Sequence, residues 1–509
     1  MVKTNYNLHL KSLQKPQESP EDLVETGIFT KKKLVETGIF AKKNLVETSF
    51  YANFGIKLLH IMAEATFVFK RKIYDRMLRW KQERDGHTAL LIQGARRIGK
   101  STIAEEFARN EYKSYILVDF SIAPTEIINL FNDISDLNFI FFRLQLYYHK
   151  ELHDRQSVIL FDEVQKCPRA RQAIKHLVKD HRYDYIETGS LISVRHSSTD
   201  IVIPSEETKI DMFPMDYEEF RWALGDTATM PLLRKAFEKK LPLGDGLHRR
   251  LMRDFRLYML VGGMPQAVAE YLSTNNMRAV DRVKRDIIAL YEEDFNKIDK
   301  TGRASAIFDS IPAQLSKNAS RYCIASAIEG ENTSNSTDLV SAMADSMVVN
   351  VAYNATDPNA GMALTRDTSR FKIYAADTGL FISLAFKDKD FTENVIYEKL
   401  LSNKLGTNLG YVYENMIAQM LRASGHNLYY HIMPYAEGKK YYEVDFVISD
   451  GHKVSPIEVK SSGYKTHASL DHFCSKYSSR IAERYLIYTK DLCRIGGVNY
   501  VPVYMAPFL

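Results

Sequence analysis

Cysteine, net charge and long apolar runs are all scarce in this chain of 509 residues. Its four cysteines, Cys167, Cys323, Cys474 and Cys493, are scattered, with no C-x-x-C pair and no histidine cluster beside them. That argues against a zinc site or a disulfide framework and fits a reducing cytoplasm. No apolar run approaches the roughly 18 residues of a membrane-crossing helix, and the polar N-terminus is not that of a secretory signal, so no membrane partner is expected. The formal net charge is +5. Residues 1–61 hold nine Lys against six Asp and Glu, which leaves a balance of only +2 for the rest. Bulk charge therefore does not demand a nucleic-acid partner, and any basic surface is local. Hydrophobic residues at 45% and charged residues at 26% are ordinary for a soluble globular protein. The length suggests about two to four domains.

Residues 1–61 carry a repeat of period eleven. Leu23-Val24-Glu25-Thr26-Gly27-Ile28-Phe29 recurs as Leu34 to Phe40, and in degraded form as Leu45-Val46-Glu47-Thr48-Ser49-Phe50. Three such units are too few and too short for a solenoid, and their glycines disfavour a coiled coil. This segment is expected to be a largely disordered extension. Met62, which opens an ordinary domain entrance, is the expected natural start; a genuine flexible extension is the alternative.

The chemistry concentrates at Gly94-Ala95-Arg96-Arg97-Ile98-Gly99-Lys100-Ser101, a G-x-x-x-x-G-K-[ST] phosphate loop. It follows an apolar strand pattern, Ala89 to Gln93, and opens an amphipathic helix at Thr102. Glycines let the backbone turn its N–H groups onto a polyphosphate, and the helix N-terminus adds unpaired donors. Lys100 is expected to reach the β- and γ-phosphates of ATP, and the Ser101 hydroxyl to ligate Mg²⁺. About 60 residues on, Ser157 to Glu163 is an apolar strand ending in two carboxylates, a Walker B pattern. Asp162 is expected in the Mg²⁺ shell, and Glu163 is expected to polarise the attacking water. A later strand, Tyr183 to Ser190, offers Thr188 and Ser190 as γ-phosphate sensors, and the sequence does not choose between them. An extra strand between the Walker strands, with a catalytic Glu after the Walker Asp, indicates the AAA-like branch of phosphate-loop folds.

The combination GARRIGKST, ILFDEVQKCP, YIETGS and FPMDYEEF resembles the prokaryotic AAA-type ATPases that carry a characteristic C-terminal domain of unassigned function. The stretches Val261 to Val268 and Lys372 to Leu380 are similar to further motifs of that family. The resemblance spans about residues 70–509. Family members place a Gly-Arg pair before the last ATPase strand, whose Arg serves a neighbouring nucleotide site. This chain has Ile203-Pro204-Ser205-Glu206-Glu207-Thr208 there, so that arginine finger is in doubt, with Arg169, Arg171 and Arg195 as possible substitutes.

The expected fold is α/β: an AAA-like ATPase core over 62–222, a helical lid over 223–300, a winged helix over 301–390 and a nuclease-like domain over 391–509. In the winged-helix stretch, Arg303, Lys317, Arg321, Arg366, Arg370 and Lys372 are candidate phosphate contacts. Its candidate recognition helix carries Asp338 and Asp345 but no Lys or Arg, so a spacer or protein contact is as good a reading. In the last domain, Glu414 in a helical pattern, Asp445 entering a strand, and Glu458 with Lys460 on one strand face resemble the PD-(D/E)XK nuclease core. The resemblance implies a second divalent cation, Mg²⁺ or Mn²⁺, on the acids, with Lys460 orienting or activating water. The reading is a cytoplasmic ATPase coupled to nucleic acid, with DNA, a second copy or a protein partner as candidate partners. Two alternatives remain: a nucleotide-controlled switch that cuts nothing, and a DNA-binding module whose ATPase sets occupancy.

Overall fold

Alternating apolar strands and amphipathic helices between Ala89 and Asp211 fold into one parallel sheet. The computed structural model describes residues 68–190, 204–317, 319–328, 330, 333–388, 394–401, 410–435 and 441–509. The repeat in residues 1–61, the start at Met62 and Arg195 lie outside the described residues.

Helix α1 (Ile73–Arg84) buries Ile73, Met77 and Trp80, spaced to lie on one helical face. There follow β1 (Ala89–Gly94), α2 (Lys100–Glu111), β2 (Ser114–Asp119), α3 (Leu137–Tyr148), β3 (Ser157–Asp162), α4 (Pro168–Asp180), β4 (Asp184–Ser190) and β5 (Glu207–Asp211). The order is β2-β3-β4-β1-β5, so β4 lies between the two Walker strands, as expected. Helices cover both faces, which is why β3 is buried at every position and reads as a continuous apolar run. Parallel pairing brings the strand ends Gly94, Asp162 and Ser190 to one edge, where open α/β sheets bind ligands.

A helical segment follows: α5 (Tyr217–Ala223), α6 (Thr229–Glu238), α7 (Asp245–Val261), α8 (Pro265–Thr274), α9 (Met277–Ile298), α10 (Arg303–Ser316) and α11 (Thr333–Asp345). Helix α5 begins with a capping box between Asp216 and Glu219, and Pro265 opens α8 at a position where its missing N–H costs nothing.

The chain then forms β6 (Val349–Ala355), β7 (Arg366–Ala375), α12 (Thr378–Ala385), α13 (Asn394–Leu401) and α14 (Gly410–Ala423). It ends with β8 (Tyr429–Pro434), β9 (Tyr441–Asp450), β10 (Lys453–Lys460), α15 (Ala468–Lys476), β11 (Tyr485–Tyr488), β12 (Cys493–Ile495) and β13 (Val498–Pro502), followed by a short 3-10 turn. All eight of these strands share one mixed sheet, ordered β12-β13-β11-β10-β9-β8-β6-β7. The two strands expected in a wing are therefore continuous with the C-terminal sheet: β6 runs parallel to β8 through Tyr353↔Tyr429 and Asn354↔Tyr430. An isolated two-stranded hairpin is marginal in water, and this pairing extends it. No helix among the described residues is long and apolar enough to cross a membrane.

Candidate functional site

The phosphate loop joins β1 to α2. Gly99 caps α2 in the left-handed region at φ +91, where a side chain is strained. A Cβ on Gly94 would lie 2.4 Å from the Met212 carbonyl oxygen, so the loop lies directly on the chain leaving β5. Ala95, Ile98 and Lys100 are buried, while Ser101 and Thr102 are partly exposed in the first turn of α2. Lys100 donates to the carbonyls of Gly94 (3.1 Å) and Ala95 (2.8 Å). Burial pulls its pKa down to about 8, opposed by Glu163 and Asp162.

Asp162 ends β3 beside the loop and accepts from the Ser101 hydroxyl at 2.7 Å and from Thr188 on β4. Glu163 stands next in a left-handed conformation at φ 52 and accepts from Gln165. A non-glycine residue there costs energy and persists where the surroundings impose it, as they do around reacting groups. Ser190 ends β4, one strand over. Of the substitute arginines, Arg169 is exposed on the first turn of α4. Arg171 is not free to act as a finger. It is buried and pairs with Glu207 on β5 through two bonds of 3.0 Å, tying α4 to the sheet.

The helical segment touches the loop. Tyr291 of α9 donates to the Arg96 carbonyl at 2.9 Å, and the Arg96 guanidinium pairs with Asp294 at 3.2 Å. Buried Arg71, ahead of α1, donates to the carbonyls of Ile98 (2.8 Å) and Phe213 (2.6 Å) and pairs with Glu219 (3.1 Å). Sequence reasoning missed Arg71, because a lone Arg before a helix carries no spacing signal. The Gly262-Gly263 turn is more than punctuation: Gly263 N–H donates to Asp377 at 2.5 Å, and its carbonyl accepts from Met215 N–H at 2.7 Å.

A second cluster lies on the large sheet. Asp445 is half-buried, and desolvation first, then Glu414 and Glu458, push its pKa well above the usual carboxylate range. It accepts from Val459 N–H at 2.7 Å. Glu458 pairs with Lys460 at 2.8 Å, and its other carboxylate oxygen is buried without a partner among the described residues. All four residues singled out from the sequence thus meet. Three others join them that the sequence did not place here: Lys372 bridges Glu414 (2.9 Å) and Glu443 (2.5 Å), and Tyr374 donates to Glu414 at 2.6 Å. Lys372 is buried inside this cluster, so it is not the phosphate contact expected of it. Burial opposes its charge, but Glu414 and Glu443 outweigh that and hold its pKa well above the usual lysine range. Period two was the available signal, since Lys372 and Tyr374 share a face of β7, as Glu443 and Asp445 do on β9.

The unpartnered Glu458 oxygen beside Asp445 suits a divalent cation in its donor chemistry. Among the described residues, however, no group of three or more His, Cys, Asp or Glu stands ready to hold a metal ion.

Comparison with known proteins finds three family matches along the chain. Residues 86–221 match the AAA domain family; 252–390 and 409–505 match two domains of unknown function, DUF8612 and DUF4143. No curated protein matches the chain. Matching solved structures include a Walker-type ATPase of Pyrococcus abyssi, 17% identical, covering 62% of this chain and 96% of its own at a TM-score of 0.38. Another is the RuvB Holliday junction branch migration motor of Thermotoga maritima, 10% identical, covering 52% and 83% at a TM-score of 0.26. Likenesses this weak carry no argument. The AAA domain match, falling on the strands that build the phosphate loop and the Asp162 site, supports ATP binding by residues 86–221.

Proposed function

We propose that this protein binds ATP with Mg²⁺, hydrolyses it, and couples turnover to nucleic acid held by its C-terminal half. The observation that carries the ATPase reading is Asp162, joined to Ser101 and Thr188 beside buried Lys100. In this reading Lys100 exchanges its carbonyl partners for the β- and γ-phosphates, and loop N–H groups hold the polyphosphate. Mg²⁺ held by Ser101 and Asp162 would neutralise charge on the phosphates. Glu163 orients a water whose oxygen bonds to the γ-phosphorus as the bond to the β–γ bridging oxygen breaks and ADP leaves. Thr188, whose hydroxyl donates to Asp162, would report the γ-phosphate, with Ser190 as the other candidate.

The nucleic-acid part rests on the convergence of Glu414, Asp445, Glu458 and Lys460. A divalent cation drawn onto Asp445 and Glu458 would supply Lewis acidity for a scissile phosphate. Lys372 favours a second reading, a nucleotide-controlled switch that cuts nothing, because its ammonium already neutralises the Glu414 side of the cluster.

The deciding experiment measures ATP turnover of the full chain with and without single- and double-stranded DNA and RNA, and cleavage of each with Mg²⁺ or Mn²⁺. Stimulated turnover supports the nucleic-acid reading. Turnover indifferent to every nucleic acid, with no cleavage, transfers the assignment to the switch.

A further inference from the structure

A cleft of about 340 Å³ opens where the chain leaving β5, the α11–β6 turn, the β7 start and the end of α14 meet. It lies apart from both sites above. Small-ligand sites typically start at about 300 Å³. Two guanidiniums face it, each laid on an aromatic ring: Arg366 stands 4.8 Å from the Tyr353 ring centroid, and Arg422 stands 5.6 Å from that of Phe213. Neither forms an ion pair with a carboxylate among the described residues; Arg422 donates to the Asn427 side-chain oxygen at 3.3 Å. Asn350 on β6 also lines the cleft. It is 8% exposed, and its side chain has no hydrogen-bond partner among the described residues. With no such partner, this amide is open to a ligand or water in the cleft.

These groups are those a ribonucleotide uses. Arginine matches a phosphate through paired donors. The ring under each guanidinium holds it in place, and an amide reads a base edge. We infer that this cleft is a second nucleotide site, distinct from the phosphate loop, and that it takes a mononucleotide such as AMP: Arg366, steadied by Tyr353, and Arg422 hold the phosphate, and Asn350 contacts the base. A single strand of nucleic acid would need an open groove tracking several phosphates, whereas two arginines in one cleft fit one phosphate group.

The site is wired to the ATPase core. The Phe213 carbonyl accepts from Arg71, whose other nitrogen binds Ile98 of the phosphate loop. Occupancy at the Phe213 wall therefore bears on the loop through one side chain.

The test is titration of the full chain with a fluorescent AMP analogue, in the wild type and in Lys100→Ala. Saturable binding that survives Lys100→Ala is expected, and Arg366→Gln and Arg422→Gln are each expected to raise Kd at least about tenfold, the scale of one charge-assisted contact. Arg366 is exposed, so its substitution is expected to keep the wild-type melting temperature; Tyr353→Leu is a second variant that removes the ring. Adenosine and inorganic phosphate are expected to compete more weakly than AMP. Binding lost in Lys100→Ala, or unchanged in all three cleft variants, overturns the proposal by returning the nucleotide to the phosphate loop or elsewhere. Absence of saturable AMP binding overturns it as well, and so does an oligonucleotide that alone binds through the same arginines.

Discussion

Lys100 is the side chain on which nucleotide binding is expected to turn, since it is buried with only two loop carbonyls for partners. Lys100→Ala should abolish measurable ATP binding and turnover together. Glu163→Gln should instead leave ATP bound and uncleaved, with kcat down by about 10²–10⁴-fold, the usual contribution of a positioned base. Isothermal titration beside a phosphate-release assay separates the two, and a Glu163→Gln protein turning over at the wild-type rate would remove Glu163 from the mechanism. Gly263 is a different kind of residue. A Cβ there would lie 2.1 Å from the Met215 carbonyl oxygen, so Gly263→Ala must push two backbones apart. It should cost about 1–3 kcal/mol, read as a lower denaturant midpoint at unchanged slope. The phosphate loop is legible in the sequence because backbone wrapping demands glycines at fixed spacing. Arg71 and Asp377 are not, because main-chain carbonyls and amides leave no side-chain pattern and Glu219, the carboxylate paired with Arg71, is far away in the chain.

Among the elements, α9 carries a charge through the core. Lys284 is fully buried, donates to the Leu260 carbonyl at 2.9 Å, and has its pKa pulled by burial down to about 8 despite Asp281 and Asp377. Between about pH 8 and the ordinary lysine value, the unfolded chain keeps a proton that the native protein has released. Stability from this group therefore rises with pH across that window, by at most about 1.4 kcal/mol per pH unit. Melting temperatures of wild type and Lys284→Met, compared from about pH 7 to about pH 9, should diverge in favour of the wild type. A constant difference would show that Lys284 does not titrate there. The strands β6 and β7 are legible as β-prone runs, but their membership of the large sheet is not. Two residues of pairing with β8, Tyr353↔Tyr429 and Asn354↔Tyr430, decide it, and no local pattern records so distant a neighbour.

For the molecule as a whole, the C-terminal half is not an appendage. A fragment ending at residue 390 would leave the Tyr353–Asn354 edge of β6 open and remove Asn415, which accepts from Ala375 N–H at 2.8 Å, and Gln419, which accepts from Thr378 N–H at 2.8 Å. Such a fragment should aggregate on expression, as open strand edges do. A soluble, cooperatively melting fragment would show that the halves fold independently. A chain starting at Met62 should keep ATP turnover, since residues 1–61 carry no identified chemistry. Helix α14 has a further consequence. It bears Glu414 of the carboxylate cluster, Gln419, bonded at 3.1 Å to the Tyr258 hydroxyl that itself donates to Met215, and Arg422 of the cleft. A helix moves as one body, so these three points share a single displacement. Free energies of binding around a cycle must close: if ATP changes the affinity at the carboxylate cluster by some factor, whatever binds there changes the affinity for ATP by that same factor. The tightness of ATP binding is thus a gauge of a distant occupant, even one that is never cut.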